Sequence, residues 1–254
     1  MPDAIHLETP VTRSAIRIVT AGWALPHMWR DRFPAAPSNL QRYAERFTCA
    51  EINSSFYKQH RAATYQRWAA AVPSDFRFSV KVPRAITHDQ RLVAADVLLD
   101  VFLEDVRGLG DRLGPLLVQL PPSLALDTGI ADEFFTTLRA IHAGPVACEP
   151  RHDSWFGADA EALLRRHRIS RVGADPARCP PAAIPGGDRG LAYLRLHGSP
   201  RIYYSAYSPD LLRDAADTLR GADAAGAECW CIFDNTTLGA ATGNALELAE
   251  LVRE

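Results

Sequence analysis

The chain has 254 residues, 47% of them hydrophobic and 23% charged, with a formal net charge of −2 at pH 7. That balance argues against a nucleic-acid partner held through phosphates, which calls for a basic face. No apolar run approaches the ~20 residues that cross a bilayer, and the polar start, residues 1–10 with Asp3 and Glu8, lacks the basic-then-apolar order of a secretion signal, so a cytoplasmic protein with no membrane partner is expected.

About eight short apolar runs recur, and nearly every one ends in polar groups. The first predicted strand, residues 15–22, is followed by Trp23. Pro26, Pro34 and Pro37 then mark a loop leading to Ser38, a good N-cap, and Leu40, Tyr43, Ala44 and Phe47 form an apolar stripe at helical spacing. Strand two, 48–53, turns Glu51 and Asn53 to one side and Ala50 and Ile52 to the other. A helix over 62–72 ends at Pro73. Strand three, 76–82, points Arg77, Ser79 and Lys81 inward and Phe78 and Val80 outward. Pro83 breaks it, and Thr87 and His88 lie on the loop beyond. The longest predicted helix spans 91–109. Strand four, 116–120, carries Gln119 at its tip before Pro121 and Pro122. A helix over 127–142 precedes strand five, 146–149, where Glu149 and Arg151 share parity across Pro150. Trp155 and Phe156 follow, then a helix over 159–168 and a short strand six, 171–175. Residues 176–190, rich in Pro and Gly, are expected to be irregular. Strand seven, 191–197, puts Tyr193, Arg195 and His197 on its inner face. Pro209 opens a helix at a position that tolerates it. Strand eight, 228–233, leaves open whether Asp234 or Asn235 turns inward, and a last helix covers 239–253.

Strand and helix alternate throughout, which predicts an α/β fold with a parallel sheet and right-handed crossovers. The length suits a single-domain (β/α)8 TIM barrel over 1–254, typically ~250 residues, with a degenerate sixth helix at 176–190. An open doubly wound sheet, the alternative, usually has fewer strands and a phosphate loop. No G-x-x-x-x-G-K, G-x-G-x-x-G, G-x-S-x-G or H-E-x-x-H string occurs, which argues against nucleotide-dependent kinase, lipase and zincin chemistry. The five cysteines, Cys49, Cys148, Cys179, Cys229 and Cys231, form no C-x-x-C pair. Their odd number argues against a disulfide scaffold, and four fall in predicted strands, where Cys serves as a small buried hydrophobe. Of 28 basic residues, only Lys58 and Lys81 are lysines. Either chance put Lys81 at a strand end, or a compact, titratable ammonium is needed there.

Several strings carry a family resemblance. They are Gly22-Trp23, Glu51-Ile-Asn-Ser-Ser-Phe-Tyr57, Phe76-Arg-Phe-Ser-Val-Lys81, Ile86-Thr-His88, Leu113-Gly-Pro and Gln119-Leu-Pro-Pro122. Arg151-His-Asp-Ser-Trp155, Leu194-Arg-Leu-His-Gly198, Phe233-Asp-Asn-Thr-Thr237 and Asn244-Ala-Leu246 complete the set. In order and over nearly the whole chain, these resemble the YecE-like family, a domain of unknown function. The resemblance implies a TIM-barrel fold related to sugar isomerases, although fold alone does not confer function. The chain departs from the family pattern at Pro150, where Phe is usual, at Asp234, where Asn is common, and at Val19-Thr-Ala-Gly-Trp23, where Gly-Thr-Ser-Gly-Trp is usual.

The strand-end residues support several readings. Glu51, Glu149, Asp175 and Asp234 with His197 are one candidate ligand set for a divalent metal, as in a metal-dependent phosphodiesterase or endonuclease. Lys81, Arg151 and Arg195 are expected at the same mouth and would compete with a metal, so no residue is assigned to one and no cofactor is expected. The same cations with His197 read as a receptor for a small polar or anionic molecule. Glu51 and Glu149 form a candidate acid–base pair, or a structural salt bridge to arginine. A lysine among cations has a lowered pKa and can serve as base or nucleophile. The working expectation is an enzyme acting on a small sugar-like or anionic ligand, with Glu51, Lys81, Glu149 and His197 catalytic. Trp23, Asn53, Tyr57, His88, Gln119, Arg151, Trp155, Asp175, Arg195, Tyr204, Asp234 and Asn235 would bind the ligand. Trp23, Phe56, Tyr57, Trp155, Tyr203, Tyr204 and Tyr207 all fall just past strand ends, where aromatics either stack on ligands or pack the loops. A non-catalytic barrel that binds a metabolite or protein partner is the reading from outside enzymology.

Overall fold

In the computed structural model, which describes residues 16–253, the strands sort into two sheets. One joins β1 (Ile16–Thr20), β10 (Glu228–Phe233), β9 (Leu191–Leu196) and β7 (Gly173–Asp175) in that spatial order, all parallel. The other runs β2 (Cys49–Ile52), β3 (Arg77–Lys81), β4 (Leu113–Gln119), β5 (Val146–Glu149), β6 (Ser170–Arg171) and β8 (Gly186–Gly187), parallel except for the antiparallel β6–β8 pair. The polar start of the chain and Ala15, the expected first residue of strand one, lie outside the described residues.

The expected closed eight-stranded TIM barrel is therefore corrected to two mostly parallel sheets. The physical reason lies at the seams. The segment expected as one sixth strand divides at Val172: Ser170 and Arg171 pair with β5, whereas Gly173 to Asp175 pair with β9 in the other sheet. Between β1 and β2 the ladder shrinks to one isolated bridge, Ala21 with Glu51. Residues 176–190 hold a 3-10 turn, Pro180–Ala183, and the two residues of β8 in place of an α-helix.

Seven α-helices follow the strands: α1 (Asn39–Ala44), α2 (Ala62–Ala70), α3 (Asp96–Val106), α4 (Thr128–Ile141), α5 (Ala158–Arg166), α6 (Pro209–Ala224) and α7 (Ala240–Leu251), counted among the described residues. Their starts follow local chemistry. Ser38 accepts from the Gln41 N–H, Asp127 from Gly129 and Ile130, and Ser208 from Leu211 ahead of Pro209. The helix expected over 91–109 begins only at Asp96. Arg91, Leu92 and Ala94 hold φ of 52°, 72° and 46°, which an α-helix cannot accommodate, and a π-turn, Ala85–Asp89, precedes them.

The apolar residues form two clusters. The larger lies between strands and helices and includes Phe78 and Val80 of β3. The smaller draws Cys49, Leu117 and Ala147 from one sheet and Val19, Tyr193, Trp230 and Ile232 from the other. Inward and outward residues thus alternate as the period-2 pattern dictates. Burial pushes the Cys49 and Cys229 thiols up to about 12. No helix among the described residues is long and apolar enough to cross a membrane.

Candidate functional site

Arg195, on β9 and wholly buried, organises the strand ends. Its Nε and Nη2 form a fork on Glu51 of β2 at 3.0 and 2.6 Å, Nη1 donates to Glu149 Oε2 at 3.0 Å, and Nη2 also reaches Asp234 Oδ2 at 3.3 Å. The Tyr193 hydroxyl adds a bond to Glu51 Oε2 at 3.1 Å and lies 2.7 Å from the Ser79 hydroxyl. Gln119 donates to Glu149 Oε2 at 2.9 Å, and Arg151 Nε and Nη2 to Oε1 at 3.1 and 2.9 Å. Every oxygen of Glu51 and Glu149 is thereby engaged by a donor, the condition under which buried charge is tolerated.

Protonation follows from this packing. Burial opposes charge on Arg195, but Glu51, Asp234 and Glu149 outweigh it and hold the guanidinium well above its ordinary value. Burial likewise opposes ionisation of Glu149, yet Arg195, His197 and Arg151 keep its carboxyl well below the usual range. Asp234 is lowered in the same way, against its burial, by Arg195 and His197. His197 has Nε2 2.9 Å from Glu149 Oε1 and Nδ1 3.1 Å from Asp234 Oδ2. Burial works against its charge, but the two carboxylates raise its pKa, and each ring nitrogen faces a carboxylate oxygen to which the charged form can donate. The Arg151 Nη2, 3.2 Å from Nε2, is then a second donor converging on the same carboxylate oxygen. The charges balance: Glu51, Glu149 and Asp234 face Arg195, Arg151 and His197.

Lys81, at the end of β3, stands outside that balance. It is only 4% exposed, and among the described residues its Nζ makes no hydrogen bond or ion pair. The ammonium lies over the Phe56 ring, 4.0 Å from its centroid. Burial first, then the Arg195 charge, push its pKa down to about 8 against the pull of Glu51, Glu149 and Asp234; the Phe56 face also favours the charged form. His88 meets the same Phe56 edge-on at 4.9 Å, with Nδ1 2.9 Å from the Thr87 hydroxyl. Burial, then Lys81, Arg84 and Arg151, lower its pKa.

The structure thus joins Glu51, Gln119, Glu149, Arg151, Arg195, His197 and Asp234 in one network, with Lys81 and His88 beside it. The other expected residues lie apart. Trp23 packs edge-on against Trp68 and Phe78 at 5.1 and 6.0 Å. Trp155 is 1% exposed and donates its indole N–H to the Leu124 carbonyl at 3.0 Å. Tyr57 is 75% exposed and meets Phe56 from outside. Asn53 begins the 3-10 turn Ser54–Phe56, its Oδ1 buried without a partner. Asp175 accepts from the Tyr207 hydroxyl at 2.7 Å. Tyr204 lies under Arg201. Asn235 donates to Ser205 O and Asn244 Oδ1, so of the undecided pair it is Asp234 that joins the network. Among the described residues, no three His, Cys, Asp or Glu side chains are gathered as a metal site; the carboxylates surround a guanidinium instead.

Four contributors lie outside the residues expected to react or bind. Ser79 and Tyr193 are inward on their strands, and Phe56 and Tyr203, two of the aromatics past strand ends, stand at the network in place of Tyr57 and Tyr204. The Tyr203 ring stands perpendicular to His197 at 6.1 Å, its N–H donates to the His197 carbonyl at 2.6 Å, and its φ of 70° is one that non-glycine residues rarely adopt. Gly198, at φ 98°, makes that approach feasible, since a Cβ there would meet Ser205 O at 3.0 Å. Beside the network lies a cavity of 340 Å³ whose charged lining is Glu149, Arg151, Arg178 and His197.

Comparison with known proteins agrees with the motifs. UPF0759 protein YecE of Escherichia coli K12 is 34% identical over 84 residues, which cover 33% of this chain and 31% of YecE. UPF0759 protein YunF of Bacillus subtilis 168 is 26% identical over 128 residues, 48% of this chain and 45% of YunF. The chain thus matches less than half the length of these curated relatives. Crystal structures of DUF72 family proteins from Enterococcus faecalis and Thermotoga maritima share its fold. Their TM-scores are 0.78 and 0.77 and their identities 20% and 24%; the matches cover 94% of this chain in both cases, and 96% and 100% of the others. Residues 17–254 match the family described as "Protein of unknown function DUF72", and the chain belongs to that YecE-like DUF72 family.

Proposed function

We propose that the strand ends bind a small anionic, polar molecule and carry out proton transfer on it, with Lys81 as the group that meets the ligand. The observation that carries this reading is the Lys81 ammonium, which makes no hydrogen bond or ion pair among the described residues, beside a network whose charges already balance. A ligand anion would supply the missing counter-charge. The cavity beside Glu149 supports the anion-binding part of this reading, because three of its four charged lining groups are basic; Lys81 lies outside its lining. Arg151 spends Nε and Nη2 on Glu149 and keeps Nη1 out of every hydrogen bond among the described residues, which leaves donors for a carboxylate or phosphate.

In this reading Glu51 and Glu149 hold the cations in place. Both are saturated with donors, and a carboxyl held as low as that of Glu149 is a poor proton donor near neutrality. The proton traffic falls to Lys81, whose pKa is pushed down to about 8, with His88 beside it as an imidazole whose charged form is disfavoured by burial and by the neighbouring cations. Titration calorimetry with inorganic phosphate, small carboxylates and sugar phosphates tests the proposal. Binding is expected to weaken as pH rises through about 8, where Lys81 gives up its charge, and to fall at least tenfold in Lys81→Met. Equal affinity in the variant, with its fold shown intact by circular dichroism, overturns it.

A further inference from the structure

We propose that Lys81 captures carbonyl compounds that carry a carboxylate or phosphate, forming a covalent imine at its Nζ. The inference deepens the anion-binding reading and rests on it: the anionic group is the handle, and the carbonyl carbon is the reacting atom.

The geometry sets Lys81 apart from an ordinary buried lysine. Buried amines are as a rule paired or hydrogen-bonded, whereas this Nζ makes no hydrogen bond or ion pair among the described residues and lies over the face of Phe56. A nucleophilic lysine needs a free lone pair, which an apolar wall and a neighbouring cation both favour. The burial of Lys81 supplies the apolar surroundings and Arg195 the cation. The protonated imine carries a positive charge on its nitrogen, and the field of Glu51, Glu149 and Asp234, which favours positive charge at this position, stabilises it.

The proton balance closes with His88. The neutral amine attacks the carbonyl carbon, the C–N bond forms, and the π pair moves to oxygen. One amine proton passes by way of the His88 imidazole to that oxygen, giving the carbinolamine. The hydroxyl then takes a second proton, drawn from water through the same ring, and leaves as water. The product is a protonated imine, with no oxidant or reductant consumed. His88 suits the task because its ring packs on the same Phe56 and Thr87 occupies only Nδ1, which leaves Nε2 for the exchange.

The chain's composition makes the test clean, since Lys58 is the one other lysine and serves as an internal control. The full-length protein is incubated with pyruvate or glyceraldehyde 3-phosphate, reduced with borohydride, and mapped by peptide mass spectrometry. Lys81 is expected to gain the mass of the carbonyl compound less one oxygen atom, at least tenfold more than Lys58. Lactate, which keeps the carboxylate and lacks the carbonyl, should protect Lys81 from trapping and add no mass. Calorimetric binding of lactate or phosphate with no excess label on Lys81 from either probe overturns the imine and leaves the anion site standing. No binding of any anion, together with equal label on both lysines, overturns both.

Discussion

Two neighbouring regions at the same strand ends handle charge in opposite ways. Around Arg195, each guanidinium nitrogen has a carboxylate partner, and Glu149 accepts from Gln119, Arg151, Arg195 and His197 together. At the end of β3, Lys81 is nearly as deeply buried and has an aromatic face where a counter-ion would be expected. The first region is saturated and suits a scaffold; the second is under-satisfied, which in a buried place is a feature of sites awaiting a ligand. Under the proposed function, stability and reactivity are separated within a few side chains.

The comparison is broken most severely at its centre. Arg195→Met should strand Glu51, Glu149 and Asp234 without their shared cation and cost at least ~3–5 kcal/mol, the usual penalty for removing one partner of a buried ion pair. Urea unfolding monitored by tryptophan fluorescence checks this, and a loss under 1 kcal/mol would mean that the carboxylates relax into water. Lys81→Met should act in the other direction. The folded value lies near 8 against an ordinary 10.5, so the cost of the charge is fully present below pH 8 and fades as pH rises from there to the unfolded value. Near neutrality the variant should therefore be more stable, by on the order of 3 kcal/mol, with the gain vanishing above the unfolded value. A stability gain unchanged across that range would trace the effect to packing.

A milder change sharpens the contrast. Phe56→Leu removes the aromatic face while keeping an apolar wall, and should lower the Lys81 pKa further by about half a unit. Selective labelling of the two lysines for NMR titration reads this directly, and an upward shift would contradict the assigned role of the ring. The smallest effect is expected far from both regions. Asp210 and Arg213, an exposed pair one turn apart on α6, should contribute no more than ~0.5 kcal/mol, so Asp210→Ala should leave the unfolding midpoint nearly unchanged.

What was legible in the sequence was set by local rules. Period-2 alternation put Ser79 and Lys81 on one face of β3, and Tyr193, Arg195 and His197 on one face of β9, because successive strand side chains must point opposite ways. The partners were not legible: Arg195 and Glu51 are 144 residues apart, and no local pattern says which acid an inward arginine will meet. Loop side chains failed for a related reason. Whether Tyr203 or Tyr204 turns towards His197 depends on the positive φ at Tyr203, and whether Asp234 or Asn235 turns inward depends on Asn244 and Ser205, which claim the amide. The barrel was expected from alternation alone, yet closure depends on how strands pair across the seams. At residues 170–175 one short run serves two different neighbours, a choice its own composition does not encode.

Those seams give the ionic network a mechanical meaning. Arg195 and Asp234 belong to the four-stranded sheet and its exit, while Glu51 and Glu149 belong to the six-stranded one. Where the backbone ladder lapses, side-chain charges rivet one sheet to the other. The rivet has an acid limit: Glu149 contributes in full above the ordinary carboxyl range, and its contribution is lost as pH falls through its depressed folded value. Acid should therefore part the molecule along its seams first, with the Gly22 amide, which bridges to the Glu51 carbonyl at 2.8 Å, exchanging its hydrogen before the amides inside either sheet.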